Sequence, residues 1–250
     1  MINGENGLKP MTYILGAQCS DGVVLVADRK VTIDGGSDHT FEDKLYLVET
    51  IVVGSSGVSG LFEKFRERLS TKITSPNWEK TVYNLTNQIE IITRELNEQY
   101  HDVLGGSVFN VLLGVKATTG AILEYVHPIG FAEGVRNYKA IGHGEPYGSF
   151  FLKKWWKPTM TMEETTELGF FIIKYIQEMF LDNTVGVGEG YPQVWLIPNN
   201  PPLDTPKEKL QIYRSHAMSD IELKPIADKV SIRIAQIKQM SWEDQPPKLI

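Results

Sequence analysis

The chain has 250 residues, 42% hydrophobic and 22% charged, ordinary globular values that exclude a disordered or collagen-like polypeptide and supply enough apolar side chains for a packed core. Its formal charge of −6 is spread along the sequence, which leaves no electrostatic footprint for nucleic acid. The single cysteine excludes an intrachain disulfide, the five histidines are scattered singly rather than at metal-ligand spacing, and no window of about 18 apolar residues marks a membrane span.

Residues 1–10 contain Asn, Glu and Gly where a signal peptide needs an apolar stretch, so a cytoplasmic protein is expected. The chain is read as an N-terminal extension over 1–11, one folded domain over 12–240 and a flexible, Pro-containing tail over 241–250. The runs TYILGAQC and VVLVADRK flank Ser20-Asp21-Gly22, and Asp-Gly between apolar runs predicts a β-hairpin. Strands follow at 44–48 and 50–54, then a glycine-rich corner, GSSGVSG, over 54–60. The pattern then turns helical over 61–73 and over 78–100, where Val82, Leu85, Ile89, Ile92 and Leu96 recur at steps of three and four and form one apolar stripe.

Strands resume at 108–116, 122–128 and 137–142, followed by helices over 147–156 and 162–181. Thr161 with Glu164 three residues on makes a capping box that opens the second of these. Strands are predicted at 193–197 and 209–215, and a last helix over 219–240 with Pro225 in its first regular turn. Strands, two helices, strands, two helices, strands, helix is not the alternation of a parallel α/β sheet. It predicts an α+β fold, a four-layer αββα sandwich in which two antiparallel sheets pack face to face and helix pairs cover the outside. Apolar runs such as VVLVA and LYLV suit strands buried on both faces.

No P-loop, GxGxxG, GxSxG or HExxH string occurs. The unusual feature is Thr12 at the start of the first core strand, followed at intervals of sixteen by Asp28 in ADRKVT and Lys44 in FEDKLYLV. Taken singly, Thr12 is an ordinary strand residue, Asp28 and Lys44 a cross-strand ion pair, and Gly54 and Gly57 corner glycines.

As a set these positions resemble the β-type subunits of the proteasome family and the related N-terminal-nucleophile hydrolases, over roughly residues 12–198. Members of that family begin with threonine, carry an acidic residue in an A-(D/E)-R-R-V-T-like strand and have a lysine opening a later strand. The resemblance implies Thr12, Asp28 and Lys44 as catalytic residues, Gly54 as an oxyanion donor with Gly57 the second glycine of that corner, and Val31 and Thr32 lining the substrate cleft. AIGHGEPYGSFF resembles the family's A-x-G-S-G-S segment and LDNTVG its R-D-x-x-S-G segment, which adds Asp182 to the implied set. His143 and Val185 stand where the family has serines near the nucleophile, and His143 could take over a hydrogen-bonding role.

The chemistry is coherent. A threonine hydroxyl needs a base, and a free α-amine with a pKa of about 7.7–8.0 is one at neutral pH. Freeing that amine requires removal of residues 1–11, or translation from Met11 followed by loss of the methionine. The resemblance implies a threonine-type endopeptidase without metal or organic cofactor, acting on peptides or unfolded proteins within an oligomeric ring, with no membrane or nucleic-acid partner. Two other expectations stay open. One is a connectase-like ligase that uses the same threonine to transfer an acyl group to another amine, and the other is a catalytically silent structural subunit.

Overall fold

The computed structural model describes residues 12–33, 38–74, 81–104, 108–179, 185–188 and 190–243. The chain opens with the expected hairpin, β1 (Ile14–Gln18) and β2 (Gly22–Ala27). A short ribbon follows, β3 (Lys30–Ile33) and β4 (Asp38–Phe41), and then a second hairpin, β5 (Leu45–Val48) and β6 (Ile51–Ser56). Helices α1 (Ser59–Ile73), α2 (Val82–Gln99) and the single turn α3 (His101–Leu104) lead to β7 (Asn110–Ala117), β8 (Gly120–Val126), β9 (Ala132–Gly134) and β10 (Tyr138–Ile141). Next come α4 (Glu145–Trp155), α5 (Met162–Met179), β11 (Gln193–Pro198), a two-residue strand β12 (His216–Ala217) and α6 (Asp220–Glu243).

Two five-stranded sheets result, ordered β10-β1-β2-β11-β12 and β5-β6-β7-β8-β9, with β3-β4 as a separate ribbon. The recorded pairings are antiparallel throughout. Successive side chains of a strand point to opposite faces. Ile14, Val23, Leu25 and Val52 therefore meet Leu112, Leu123 and Ile197 between the sheets. Leu15, Val24 and Val26 face the other way, under α4, α5 and α6. Ile51, Val53 and Val111 likewise lie under α1 and α2. The fold is the expected four-layer α+β sandwich, except that one outer layer holds three helices, because Leu223, Ile226, Val230 and Ile234 of α6 join the core beneath α5.

Local signals behave as their physics requires. Thr81 caps α2 by accepting from the Asn84 N–H at 3.1 Å, and Leu85, Ile89, Ile92 and Leu96 are its buried stripe. The capping box before α5 is made in both directions, Glu164 N–H to Thr161 Oγ1 at 3.2 Å and Thr161 N–H to Glu164 Oε2 at 2.9 Å. Between β5 and β6 a two-residue turn closes the ladder, with Glu49 in the left-handed region at φ 53°.

Four expectations are corrected. KLQIYRS is not a strand, since residues Lys207–Tyr213 form a 3-10 helix with no buried side chain. Pro225 lies inside α6, which starts at Asp220. LYLV is not buried on both faces, because β5 is an edge strand and Leu47 is 45% exposed. Gly54 is not in a corner, because β6 continues through Ser56 and the corner starts at Gly57, whose φ is 149°.

Glu124 on β8 is half-buried, and its Oε2 has no hydrogen-bond partner among the described residues. Burial first, and the neighbouring Glu90 second, push its carboxyl above the ordinary glutamate range. A raised folded-state pKa leaves stability untouched while the acid is protonated in both states, and costs stability as pH rises above the unfolded value. Glu124→Gln is therefore expected to raise the melting temperature at about pH 8 and to leave it unchanged at about pH 4, as checked by thermal unfolding at both.

Candidate active site

Thr12, 5% exposed, lies immediately before β1. Because Ile14 stands opposite Ala27, Asp28 comes level with Tyr13. The Asp28 N–H donates to Tyr13 O at 3.0 Å, and the Tyr13 N–H donates to Asp28 Oδ1 at 2.8 Å. Lys44 arrives from the second sheet, one residue before β5, and its Nζ donates to Asp28 Oδ1 at 2.7 Å and to Lys30 O at 2.6 Å. The Gly186 N–H donates to Asp28 Oδ2 at 3.2 Å, and Gly186 O accepts from the N–H groups of Arg29 and Lys30.

Asp28 is 0% exposed and Lys44 6%, so this is a buried ion pair and not a surface bridge between strands. Burial pushes the Asp28 carboxyl above its ordinary range, opposed by Lys44 and by the N–H groups of Tyr13 and Gly186. Burial also holds the Lys44 ammonium below the ordinary lysine range, against the attraction of Asp28 and Glu42. A lysine so placed gives up a proton more readily than one in water, which suits it to influence proton transfer at a neighbouring hydroxyl and amine.

The turn after β10 fixes Thr12 from the other side. The Gly144 N–H donates to Thr12 O at 3.2 Å. Gly142 has φ 97°, and a Cβ there would stand 2.0 Å from Thr12 O, so only glycine fits. His143 between them is half-buried. Val185 is buried and packs toward Gly144.

Gly54 faces the gap between the sheets against Ile14 and Leu45, at the last pair of the β5–β6 ladder. Val31 is half-buried on β3, where Thr32 pairs through its backbone with His39. An open cavity of about 710 Å³ is lined by Arg29 and Asp43, the chain neighbours of Asp28 and Lys44, by Glu42, and by Gly60, Phe62 and Arg66 of α1; Thr12, Asp28 and Lys44 are not part of its lining. Asp182 lies outside the described residues.

The geometry thus gathers Thr12, Asp28, Lys44 and the Gly142–Gly144 turn, with Gly54 opposite Leu45, the residue after Lys44. Sequence reasoning missed Gln193, whose buried side chain bonds to the backbone of Lys44 and Leu45. Its one signal is a polar residue at the head of the apolar run QVWLI.

A family model described as proteasome subunit matches residues 11–186. The chain belongs to the proteasome subunit family. It is 28% identical over 188 residues to proteasome subunit beta 1 of Pyrobaculum arsenaticum, covering 72% of this chain and 87% of the relative. To proteasome subunit beta 2 of Korarchaeum cryptofilum it is 26% identical over 165 residues, 62% of this chain and 78% of the relative. Among solved structures, Anbu, an ancestral beta-subunit from Yersinia bercovieri, superposes with a TM-score of 0.71 at 14% identity, covering 95% of this chain and all of the other. The Anbu complex of Pseudomonas aeruginosa, solved as a helical assembly, gives 0.68 at 15% identity, covering 94% and 98%. At such identity the likeness is one of fold.

The Gly142 contact yields a paired test. Gly142→Ala is expected to destabilise by about 2 kcal/mol or more, since it combines a disfavoured φ with a backbone collision. Gly60→Ala, whose added Cβ meets nothing within 4 Å inside α1, is expected to gain about 0.5–1 kcal/mol. Urea unfolding of both variants beside the parent chain checks the two signs.

Proposed function

We propose that this family member is a threonine-type peptidase of the β class that acts through Thr12 once its α-amine is free. The observation that carries the reading is the buried Asp28–Lys44 pair, bonded through Asp28 to the Tyr13 N–H and so fixed one residue from Thr12.

In this reading the freed Thr12 amine takes the Oγ1 proton as Oγ1 attacks a peptide carbonyl carbon. Lys44, positioned by Asp28, eases that transfer electrostatically. The same reading assigns the developing oxyanion to the Gly54 N–H, at the last β5–β6 pair and beside Leu112 of β7. The amine then returns the proton to the leaving nitrogen, the C–N bond breaks, and an ester of Thr12 remains. Water, deprotonated by the same amine, attacks that ester and releases the acid with the threonine restored.

The extended substrate would lie along β3 at Val31 and Thr32, with a side chain in the cavity between Glu42 and Phe62. His143, in the Gly142–Gly144 turn, and by the family resemblance alone Asp182, are supporting groups of the same reading. The relatives are named as proteasome subunits and as a helically assembled complex, which supports an oligomeric working form.

The test is an intact mass measured before and after exposure to an epoxyketone, a probe that needs both the amine and the hydroxyl of an N-terminal threonine. A chain beginning at Thr12 is expected to gain one adduct, and the chain retaining residues 1–11 none. Lys44→Met is expected to slow adduct formation about 10²-fold or more. An unlabelled chain beginning at Thr12 overturns the peptidase reading in favour of a silent subunit. Peptide products formed with an added amine nucleophile would separate hydrolysis from ligation.

A further inference from the structure

Gln193 is the first residue of β11, and its main chain stands opposite Ala27, the residue before Asp28. Its side chain leaves that sheet and crosses to the other one. There Oε1 accepts from the N–H groups of Lys44 at 2.9 Å and Leu45 at 2.7 Å, while Nε2 donates to Leu45 O at 2.5 Å. Both lone pairs of the amide oxygen are used, and the residue is only 9% exposed. β5 is the edge of its sheet, so at its first residue the glutamine amide fills the position of a neighbouring strand.

The chemistry demands an amide. Leu45 presents both an N–H and a carbonyl, and only a group carrying an acceptor and a donor together satisfies them. A carboxylate would accept the two N–H bonds but face the Leu45 carbonyl without a proton, a methionine would satisfy neither, and an asparagine is one methylene short. Lysine side chains are long and rotamer-rich, so the ion pair's geometry depends on where the Lys44 backbone is anchored. Gln193 ties that backbone to the strand whose register with β2 also sets Asp28.

We infer that Gln193 is a positioning residue for the chemistry at Thr12, holding the Lys44 main chain so that its ammonium meets Asp28. The catalytic consequence rests on the Thr12 reading, whereas the placement of Lys44 does not.

The experiment uses Gln193→Glu and Gln193→Met in the chain beginning at Thr12, with thermal unfolding to show that each is folded; Gln193→Glu keeps two of the three bonds and is the variant that retains the fold. Two readouts are taken. Lys44, acted on by Asp28 and Glu42, is titrated through its ¹³Cε resonance, assigned by its loss in Lys44→Arg. The rate constant of epoxyketone adduct formation at saturation is measured with the apparent dissociation constant of the probe.

The Lys44 titration is expected to move up toward the ordinary lysine range in Gln193→Met as the ammonium regains water, while Gln193→Glu is read by the adduct rate, because its new carboxylate raises that titration by charge alone. The saturated rate is expected to fall about 100-fold with the dissociation constant unchanged, as displacements of the order of 1 Å produce. Folded variants whose adduct rate matches the parent, with the Lys44 titration unmoved in Gln193→Met, overturn the inference and leave Gln193 a structural residue. A titration moved in Gln193→Met, with a parent chain that forms no adduct, supports the placement of Lys44 and overturns the Thr12 reading instead.

Discussion

The ion pair between Asp28 and Lys44 joins two sheets that share no backbone ladder, and the geometry around Thr12 follows from it. Removing two charges from water costs several kcal/mol per ion in a protein interior, and attraction between them offsets this only when the remaining hydrogen-bond positions are filled. Here they are filled. Asp28 accepts from Tyr13, Gly186 and Lys44, and Lys44 also donates to the Lys30 carbonyl. An interior that accepts this cost for a pair beside a threonine makes a stronger functional argument than any one of the three residues alone.

The surrounding fold holds the pair by rigid elements. β1 and β2 set Tyr13 against Asp28 by antiparallel register, and the turn after β10 clamps the Thr12 carbonyl through Gly144. Apolar packing between the sheets, from Ile14, Leu25 and Leu45 to Leu112 and Ile197, fixes the distance over which Lys44 must reach. Gly54 belongs to the same contact, since a Cβ there would stand 2.6 Å from Leu45 Cδ2 on the neighbouring strand and 3.3 Å from Ile14 Cγ2 of the facing sheet.

What could be read from the residues was whatever has a local cause. Asp21-Gly22 between apolar runs marks a hairpin, the stripe from Leu85 to Leu96 marks a helix, and Thr161 with Glu164 marks a helix start, because each is set by neighbours a few positions away. The edge position of β5 depends on strand order, which LYLV does not encode. KLQIYRS carries apolar residues at Leu210 and Ile212, yet none of the side chains of Lys207–Tyr213 is buried and the segment closes into a 3-10 turn. For the site, Thr12, Asp28 and Lys44 were legible through their joint resemblance to a family. The contributions of Gln193, Gly142 and Gly186 were not, because they act on partners more than a hundred residues away, and a glutamine or glycine outside its fold has no such meaning.

The central claim is that Asp28 and Lys44 act as one buried unit that serves Thr12, and a double-mutant cycle measures it. Asp28→Asn, Lys44→Met and the double variant would be compared for unfolding free energy and for epoxyketone adduct formation in the chain beginning at Thr12. Each single variant is expected to lose about 3 kcal/mol, because it strands a buried partner, and the double variant to recover at least about 2 kcal/mol of the summed loss, with adduct formation slowed about 10²-fold or more in all three. Additive stability losses, or a double variant that still forms the adduct at the parent rate, would contradict the account.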